Sequence, residues 1–434
     1  MRHVISGGLR FSAGKYAFSS KKRDFNIPAT ELPPPSRAVI PLWQHAGKPA
    51  IPVVSVGDSV KTGQLIGRAA DGVSAKIHSS VSGSIWSITP CTNGRGIAQT
   101  ITIDVERDEW DSAIDRSETF NRYCPFSAAE IRQKIADAGV VGLGGACFPT
   151  HLKISSAHKT ELLIINGVEC EPFLGCDYYL MQHHTEEIAF GITLLMKALN
   201  VERAIIGIKR NNSKLIALFQ EVSKHYYGIQ VEAVDIRYPS GNEKILIGAL
   251  TGKHLTSGKL PVEEGVIVHN VATAFAVYQA VQKNRPLIDR IISLSGPLVK
   301  RPCNLKVRIG TPVTDLLTGE NAWLRTADAR FISSGTMTGR QITTLDEPVE
   351  KGTSAIIVLR KTATPTSQRC IKCGACIRVC PMGLSPCLLV HSAAQDMSEK
   401  LNEDSAKDCI FCGCCSYVCP SYIPLTETIR TLLK

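Results

Sequence analysis

The sequence predicts a multidomain α+β protein in which an N-terminal β module, an α/β domain, a second β domain and a C-terminal helical, cysteine-rich domain follow one another. Short apolar alternations punctuated by glycine fill residues 37–105. Strand patterns alternate with helix patterns over residues 127–282, and cysteines recur with one spacing near the C-terminus. We place the four domains at residues 1–125, 126–285, 286–361 and 362–434.

Composition excludes several classes of protein. The chain has 434 residues, of which 44% are hydrophobic and 20% charged, so it can bury several cores and is not disordered. Its net charge of +10 is scattered, with one basic run at residues 21–23 and no nucleic-acid recognition motif, so we expect a solvated basic surface. No segment reaches the ~20 apolar residues of a membrane span. The most apolar segment, residues 188–199, is expected to be a buried helix.

Two cysteine runs share the spacing C-x2-C-x2-C-x3-C-P. This spacing holds pairs of [4Fe–4S] clusters, and the fourth cysteine of each run then ligates the cluster of the other run. Zinc sites usually pair C-x2-C with C-x2-C, and disulfides need an oxidising compartment, for which no secretion signal speaks. Two further cysteines, Cys387 and Cys414, are expected to be small buried residues. The predicted crossed ligand sets are Cys370, Cys373, Cys376 with Cys419, and Cys409, Cys412, Cys415 with Cys380.

A glycine-rich loop follows the first helix of the α/β domain. Ser127 and Glu130 have the spacing of a capping box that opens this helix, and Gly139 is placed to end it. The loop at residues 140–153 reads VVGLGGACFPTHLK, and its glycines would let backbone N–H groups approach a phosphate or a flat ring. Its spacing matches neither the dinucleotide fingerprint nor the P-loop. Alone, the loop predicts either a ligand site or a tight turn.

Polar residues follow three strands of the predicted α/β domain. We predict strands at 162–165, 204–208, 229–234 and 266–269, with helices that include 177–199 and 213–224. Ligands of largely parallel sheets lie beyond the carboxyl ends of the strands. We therefore expect the three loops to converge with the glycine loop on one ligand. The polar loop residues are Asn166, Glu169 and Glu171, then Gly241 and Glu243, then Asn270 and Thr273.

These loops resemble the flavin-binding subunit of respiratory complex I in the motifs G-x-G-G-A-x-F-P-T-x-x-K, N-x-x-E-x-E-P, G-x-E and N-V-x-T. The resemblance implies noncovalent FMN with NADH stacked on it, and no catalytic acid or base. Two departures, Val168 for an acidic residue and His269 for an asparagine, affect single hydrogen bonds to the flavin. The residues implied to line FMN are Gly142, Gly144, Gly145, Lys153, Asn166, Glu169, Asn270 and Thr273, with Gly241 in the same loop set. Those implied to contact the nicotinamide nucleotide are Phe148, Glu171 and Glu243.

The other domains also resemble known modules. Residues 57–85 are similar to the barrel-sandwich hybrid of biotinyl and lipoyl carriers, but residues 70–72 hold no lysine where those carriers are modified. This module is therefore expected to be a docking scaffold. Residues 286–361 resemble a soluble-ligand-binding β-grasp domain. The order of all four domains resembles the RnfC component of the Rnf ion-translocating electron transport complex.

The Rnf resemblance implies a peripheral subunit of a membrane ferredoxin:NAD⁺ oxidoreductase at the cytoplasmic face of the bacterial inner membrane. It would pass electrons between NAD(H), FMN and two [4Fe–4S] clusters, because only a flavin exchanges both electron pairs and single electrons. Its expected partners are other members of the complex, including an iron–sulfur, ferredoxin-like subunit, which together would couple electron transfer to ion translocation, and not nucleic acid. The alternative is a soluble flavin/iron–sulfur NADH reductase that serves a metabolic enzyme, of the proline reductase or cobalamin reductase type.

Overall fold

The computed structural model describes residues 7–11, 29–155, 159–253, 255, 257–318, 328–363, 365–393 and 406–433. In these residues four sheets and a C-terminal helical region follow one another, which confirms the predicted multidomain α+β class. The basic run at 21–23 lies outside the described residues. No helix in the described part of the chain has the length and apolar character needed to cross a lipid bilayer.

Two antiparallel sheets form the N-terminal β module, in the orders β2-β8-β7-β4 and β3-β5-β6. Their inward-facing residues, among them Ile40, Ile66 and Ile101, share one core, as expected when both sheets alternate apolar and polar residues. β7 and β8 form a long hairpin. The strands are β1 Thr30–Glu31, β2 Arg37–Pro41, β3 Ile51–Pro52, β4 Ser59–Val60, β5 Leu65–Arg68, β6 Ile77–His78, β7 Ser82–Asn93 and β8 Gly96–Arg107.

The α/β domain has a four-stranded, wholly parallel sheet in the order β11-β10-β9-β12, as predicted. The capping box of Ser127 and Glu130 is present, and Gly139 follows the first helix with φ +61°. A 3₁₀ turn at Pro261–Glu264 precedes β12. The strands are β9 Leu162–Gly167, β10 Ala204–Lys209, β11 Ile229–Val234 and β12 Val266–Asn270. The helices are α1 Ala128–Asp137, α2 Thr150–Lys153, α3 Cys176–His183, α4 Thr185–Leu199, α5 Ser213–Ser223, α6 Glu243–Thr251 and α7 Val271–Gln282.

The single helix predicted over 177–199 is wrong, because the chain breaks at His184 into α3 and α4. His184 has φ −130° and ψ 38°, outside the helical region. The Thr185 hydroxyl donates to the Met181 carbonyl (2.7 Å), and acidic residues in the next turn favour a new helix start. α4 is buried over most of 188–199, as predicted, and lies directly on α7.

The third domain contains a six-stranded mixed sheet in the order β1-β14-β13-β17-β15-β16. β1 comes from the N-terminal segment, which was expected only to run extended over a surface, and pairs in parallel with β14. Ile292, Val307 and Ile356 lie in the core of this domain. Its elements are β13 Asp289–Ser295, β14 Cys303–Arg308, α8 Val313–Leu316, β15 Ala329–Ser333, β16 Arg340–Gln341 and β17 Ala355–Arg360.

Short helices surround the two cysteine runs. They are α9 Ala375–Val379, α10 Pro386–Ala393, α11 Cys414–Tyr417 and α12 Leu425–Leu432. The helix predicted between the runs, at 388–401, begins earlier, at Pro386, and residues 394–401 lie outside the described part.

One buried lysine joins three domains. Lys351 Nζ donates to the carbonyls of Lys76 (2.8 Å) and Gly139 (2.7 Å), and burial lowers the pKa of this amine to about 7. Lys76, expected to be solvated, instead pairs through its own Nζ with Asp137 (2.6 Å). The β module, the α/β domain and the third domain are therefore anchored to one another at this point.

Candidate functional site

A cavity of about 340 Å³ lies beyond the carboxyl ends of β9 and β12. The glycine loop and all three polar loops contribute to its walls, so the expected convergence of these segments occurs in the structure. Seven residues singled out from the sequence line it: Gly144, Gly145, Asn166, Glu169, Glu171, Gly241 and Asn270.

Two asparagines hold the polar loops in place. Asn166 Nδ2 donates to the Gly241 carbonyl (2.8 Å), and its Oδ1 accepts from the Val168 N–H (3.1 Å). Asn270 Oδ1 accepts from the Ala272 N–H (2.7 Å) and caps α7. These bonds use side chains at two strand ends to fix the backbone of the neighbouring loops.

The glycine loop is a tight turn that presents open backbone to the cavity. The Gly142 N–H donates to the Phe148 carbonyl (2.8 Å), and the Thr273 hydroxyl accepts from the Leu143 N–H (2.9 Å). Gly145 has φ +119°, and a Cβ added there would meet nothing within 4 Å. A side chain at Gly145 would therefore be strained and would occupy free space at the cavity wall.

Five predicted site residues do not line this cavity: Gly142, Phe148, Lys153, Glu243 and Thr273. Gly142 and Thr273 support the loop, as described above. Lys153 Nζ bonds Glu243 Oε1 (3.0 Å) and the Val268 carbonyl (2.7 Å). Phe148 is 36% exposed. Contacts of Phe148, Lys153 and Glu243 with a nucleotide stay predictions.

A compact carboxylate–thiol group lies in the cavity wall. The ligand atoms of Glu169, Cys176 and Asp177 lie within 4.8 Å of one another, the only such group found in the described ranges. Glu169 accepts from the Asp177 N–H (2.8 Å), and Asn270 Nδ2 donates to Asp177 Oδ2 (2.7 Å). Burial, with the charge of Glu169, raises the pKa of Asp177 to about 7. The sequence reasoning missed Asp177, whose only signal is an acidic residue in the first turn of a helix.

Glu171 connects the α/β domain to the third domain. Its carboxylate accepts from the Met337 N–H (3.0 Å), the Thr338 N–H (2.9 Å) and the Thr338 hydroxyl (2.7 Å). Burial raises its pKa, and these bonds oppose that rise. A Cβ at Gly335 would lie 2.6 Å from Glu171 Cδ, so only glycine allows this approach.

Other domains complete the cavity. Arg95 comes from the turn of the β7–β8 hairpin, and Arg340 and Glu350 come from the third domain. The sequence reasoning placed the site in the α/β domain and missed all three. No local pattern marks them, because they reach the cavity through the packing of domains.

The cavity fits a flat, partly polar ligand such as a flavin. Its volume lies within the usual range of small-molecule sites, and few charged groups line it besides the carboxylates and two arginines. The open backbone at Gly145 and the side chains of Asn166 and Asn270 supply hydrogen-bonding groups on neighbouring walls.

The second cysteine run lies with the fourth cysteine of the first run. Cys380, Cys409, Cys412 and Cys415 line one small cavity of about 20 Å³. Burial raises the pKa of the Cys409 thiol to about 11, and the nearby thiols of Cys415, Cys412 and Cys380 raise it further. Cubane ligands bind four separate irons, so they need not be as close as ligands of a single ion. The arrangement fits the crossed ligand set.

The remaining cysteines form a more exposed group. Cys376 and Cys419 share an apolar cluster with Cys387, and Cys370 and Cys373 are exposed. Burial raises the pKa of Cys376 to about 11, as does its hydrogen bond with Cys387. Cys387 is thus half-buried beside a predicted ligand, whereas Cys414 is fully buried beside Cys412.

The flavin-type cavity and the second cysteine group are in contact through Tyr238. The Tyr238 hydroxyl donates to the Cys412 carbonyl (2.8 Å). Tyr238 also shares an apolar cluster with Cys414 and with Cys170, and Cys170 lines the cavity. A single layer of side chains therefore separates the two candidate sites.

Four family models match successive parts of the chain. They are the RnfC barrel sandwich hybrid domain at residues 9–109, the Nuo51 FMN-binding domain at 135–279, the NQRA C-terminal domain at 291–344 and the 4Fe-4S dicluster domain at 364–420. The RnfC protein of Clostridium ljungdahlii, from a proton-translocating ferredoxin:NAD⁺ oxidoreductase complex, is 38% identical over 402 residues, which cover 91% of this chain and 86% of the relative. The chain belongs to the RnfC family.

Two further relatives agree with the RnfC assignment. The RnfC protein of Acetobacterium woodii, from a Na⁺-translocating ferredoxin:NAD⁺ oxidoreductase complex, is 33% identical over 92% of this chain and 90% of its own. The RnfC protein of Rhodobacter capsulatus, from an ion-translocating oxidoreductase complex, is 38% identical over 82% of this chain and 69% of its own. The predicted family and oxidoreductase class are thus confirmed, together with FMN-binding and 4Fe-4S domains.

The fold also resembles a solved structure. An NAD⁺-reducing [NiFe]-hydrogenase in the H2-reduced state superimposes with a TM-score of 0.51 at 18% identity. The match covers 71% of this RnfC-family chain and 60% of the hydrogenase chain. At this identity the similarity describes the fold alone.

Proposed function

We propose that this RnfC family member is the nicotinamide-reacting, peripheral subunit of a membrane ferredoxin:NAD⁺ oxidoreductase at the cytoplasmic face of the bacterial inner membrane. It carries FMN and two [4Fe–4S] clusters, and its partners, including a ferredoxin-like iron–sulfur protein, couple electron transfer to ion translocation. The observation that carries the proposal is the hydrogen bond from Tyr238 to Cys412, which joins the flavin-type cavity to a cluster-type cysteine group.

Bound FMN would exchange electron pairs with the nicotinamide and single electrons with the clusters. The residues of the chain supply position and electrostatics. Asn166 and Asn270 hold the loops, and the backbone at Gly145 forms one wall. Glu171 and Glu243 position the nucleotide, Phe148 stacks on its adenine, and Lys153 supplies a cation for the FMN phosphate. Lys153 now donates to Glu243 and is therefore already held near the loops.

The contacts also support an order for the two clusters. The group of Cys380, Cys409, Cys412 and Cys415 is nearer the flavin, because Cys412 receives the hydrogen bond from Tyr238. Cys370 and Cys373 of the other group are exposed. We assign the exposed group to electron exchange with a partner protein of the complex.

The identity of the translocated ion is a property of the whole complex. The relatives from C. ljungdahlii and A. woodii are named for protons and for Na⁺ respectively, although both match most of this chain. Similarity to RnfC proteins therefore does not distinguish H⁺ from Na⁺.

Anaerobic purification of the full chain tests the proposal. We expect bound FMN, and we expect NADH to bleach the visible absorbance of the clusters. Gly145→Val should lose FMN, whereas the matched control Gly72→Val should keep it. Gly72 also has a positive φ and open space around a Cβ, but it lies in the β module away from the cavity. Wild-type protein without FMN, or with clusters that NADH cannot reduce, overturns the proposal.

Affinity purification from the host membrane tests the partner assignment. We expect multi-span membrane proteins and an iron–sulfur protein to co-purify with the tagged chain. Recovery of a cytosolic metabolic enzyme in their place, without membrane proteins, would instead support a soluble reductase.

A further inference from the structure

A second cavity, of about 460 Å³, is larger than the flavin-type cavity. Leu143 of the glycine loop lines both cavities and separates them. The second cavity is walled by one face of α7, by the α3–α4 junction, by the start of β13 and by residues 115–118. None of the residues that the complex I resemblance implies for FMN or nicotinamide lines it.

Most charges around this second cavity are already paired. Lys283 Nζ, which is buried, bonds Asp115 Oδ2 (2.9 Å), and Arg285 pairs with Asp289. His184 Nδ1 lies 3.0 Å from Glu187 Oε1. These pairs account for three of the four carboxylates in the lining, and the fourth, Glu118, is exposed.

Arg290 is the exception. It is 5% exposed, its Nη1 is buried without a hydrogen-bond partner, and no ion pair to it occurs within the described ranges. The carboxyl group whose charge its field reaches is Asp177, but burial and Glu169 raise the pKa of Asp177 to about 7. Asp177 is therefore partly protonated near neutral pH and only partly compensates Arg290. A buried guanidinium without a partner is costly, so its retention points to a ligand.

We propose that the second cavity binds a nucleoside phosphate, with the phosphate on Arg290 and the base against Phe275 and His184. The planar guanidinium matches two phosphate oxygens at once. The rings of Phe275 and His184 lie 4.6 Å apart at 40° and form an aromatic wall, continued by Ala272 and Ala276 of α7. A volume of about 460 Å³ accommodates a ligand of this size.

The site is independent of the proposed redox function. Its residues lie on the other side of Leu143, and its occupation needs neither a nicotinamide ring nor electron transfer. A probe with an adenine could still enter the nicotinamide site next to Phe148. The experiment therefore uses ADP and includes Phe148→Ala as the background that removes stacking at that site.

Calorimetric titration of ADP into the full, cofactor-loaded chain tests the proposal. We expect ADP binding that survives in the Phe148→Ala background. Arg290→Met in that background should weaken binding at least roughly tenfold, the loss expected for a charged hydrogen bond. Arg290→Lys, which keeps the charge but not the planar fork, should have intermediate affinity. The control Arg116→Met removes an exposed cation that lies over the Trp110 ring at the cavity mouth and should leave the affinity nearly unchanged.

Thermal melting without ADP distinguishes a binding arginine from a structural one. If Arg290 is kept for a ligand, Arg290→Met should melt at the same temperature as the parent or higher, because an unpaired buried charge has been removed. ADP should raise the melting temperature of the parent and not that of Arg290→Met. Absence of ADP binding in the Phe148→Ala background overturns the proposal. So does unchanged ADP affinity in Arg290→Met combined with a lower melting temperature.

Discussion

Crossed ligation of the two clusters predicts an unusual pattern of iron loss in double variants. Two [4Fe–4S] clusters hold about eight irons per chain, and removal of one thiolate ligand should cost the cluster that it holds, leaving about four. Cys380 belongs to the first run in the sequence but lies with the second run in the structure. Its partner in iron loss should therefore be Cys409 and not Cys373.

The double variants give opposite values for the two ligation schemes. Cys380→Ala with Cys409→Ala should keep about four irons, because both changes remove ligands of one cluster. Cys380→Ala with Cys373→Ala should fall close to zero. Cys373 and Cys409 are the suitable partners, because Cys387 beside Cys376 and Cys414 beside Cys412 are potential replacement ligands.

Iron and acid-labile sulfide analysis of anaerobically purified protein measures these values, with electron paramagnetic resonance of the reduced protein as the second readout. The Cys419→Ala variant provides the mirror image: its loss should be shared with Cys373→Ala and add to Cys409→Ala. Near-zero iron in the Cys380 and Cys409 pair, with about four irons in the Cys380 and Cys373 pair, would show ligation within each run and refute the crossed scheme.

Three other changes test the packing around the sites. Gly191→Ala should destabilise the α/β domain by about 1–3 kcal/mol in denaturant unfolding, because its Cβ would lie 2.0 Å from the Ala274 carbonyl oxygen; unchanged stability would contradict this close approach. The folded-state pKa of Asp177 is raised from 3.8 to about 7, so ionisation of Asp177 lowers stability as the pH rises from about 4 to about 7. Asp177→Asn should therefore gain thermal stability over wild type between pH 5 and pH 8, by up to about 4 kcal/mol; an equal difference at both values would contradict a raised pKa. Tyr238→Phe should cost about 1 kcal/mol and slow NADH-dependent bleaching of the cluster absorbance, because the Cys412 carbonyl loses a donor; stopped-flow spectroscopy measures that rate, and an unchanged rate would remove Tyr238 from the electron path.

The sequence was sufficient to predict the parallel sheet and the convergence of the polar loops. Apolar runs such as 204–208 define strands, and parallel strands place their carboxyl ends at one edge of the sheet. Asn166 and Asn270 meet the cavity for this reason alone. The helix break at His184 could not be predicted in the same way, because residues 177–199 keep a continuous helical pattern and the break depends on one hydroxyl–carbonyl bond from Thr185.

Residues of one motif also take different roles that spacing does not reveal. Gly142 closes the turn through a bond to the Phe148 carbonyl, whereas Gly145, with φ +119°, faces the cavity. Arg95 and Glu350 reach the cavity from other domains, so no pattern within the α/β domain could identify them. What the sequence could not provide is therefore the part of the site that depends on contacts between domains.

Those contacts follow one physical rule, in which a side chain of one domain bonds to backbone groups of another. Lys351 donates to two carbonyls, Glu171 accepts from two backbone N–H groups, and Tyr238 donates to one carbonyl. Each bond fixes the position of a neighbouring domain without needing a matching side chain there. The walls of the flavin-type cavity and its distance from the second cysteine group are consequently set by a few buried polar groups. Substitutions at these three residues should alter the electron path even though none of them is assigned as a cluster ligand.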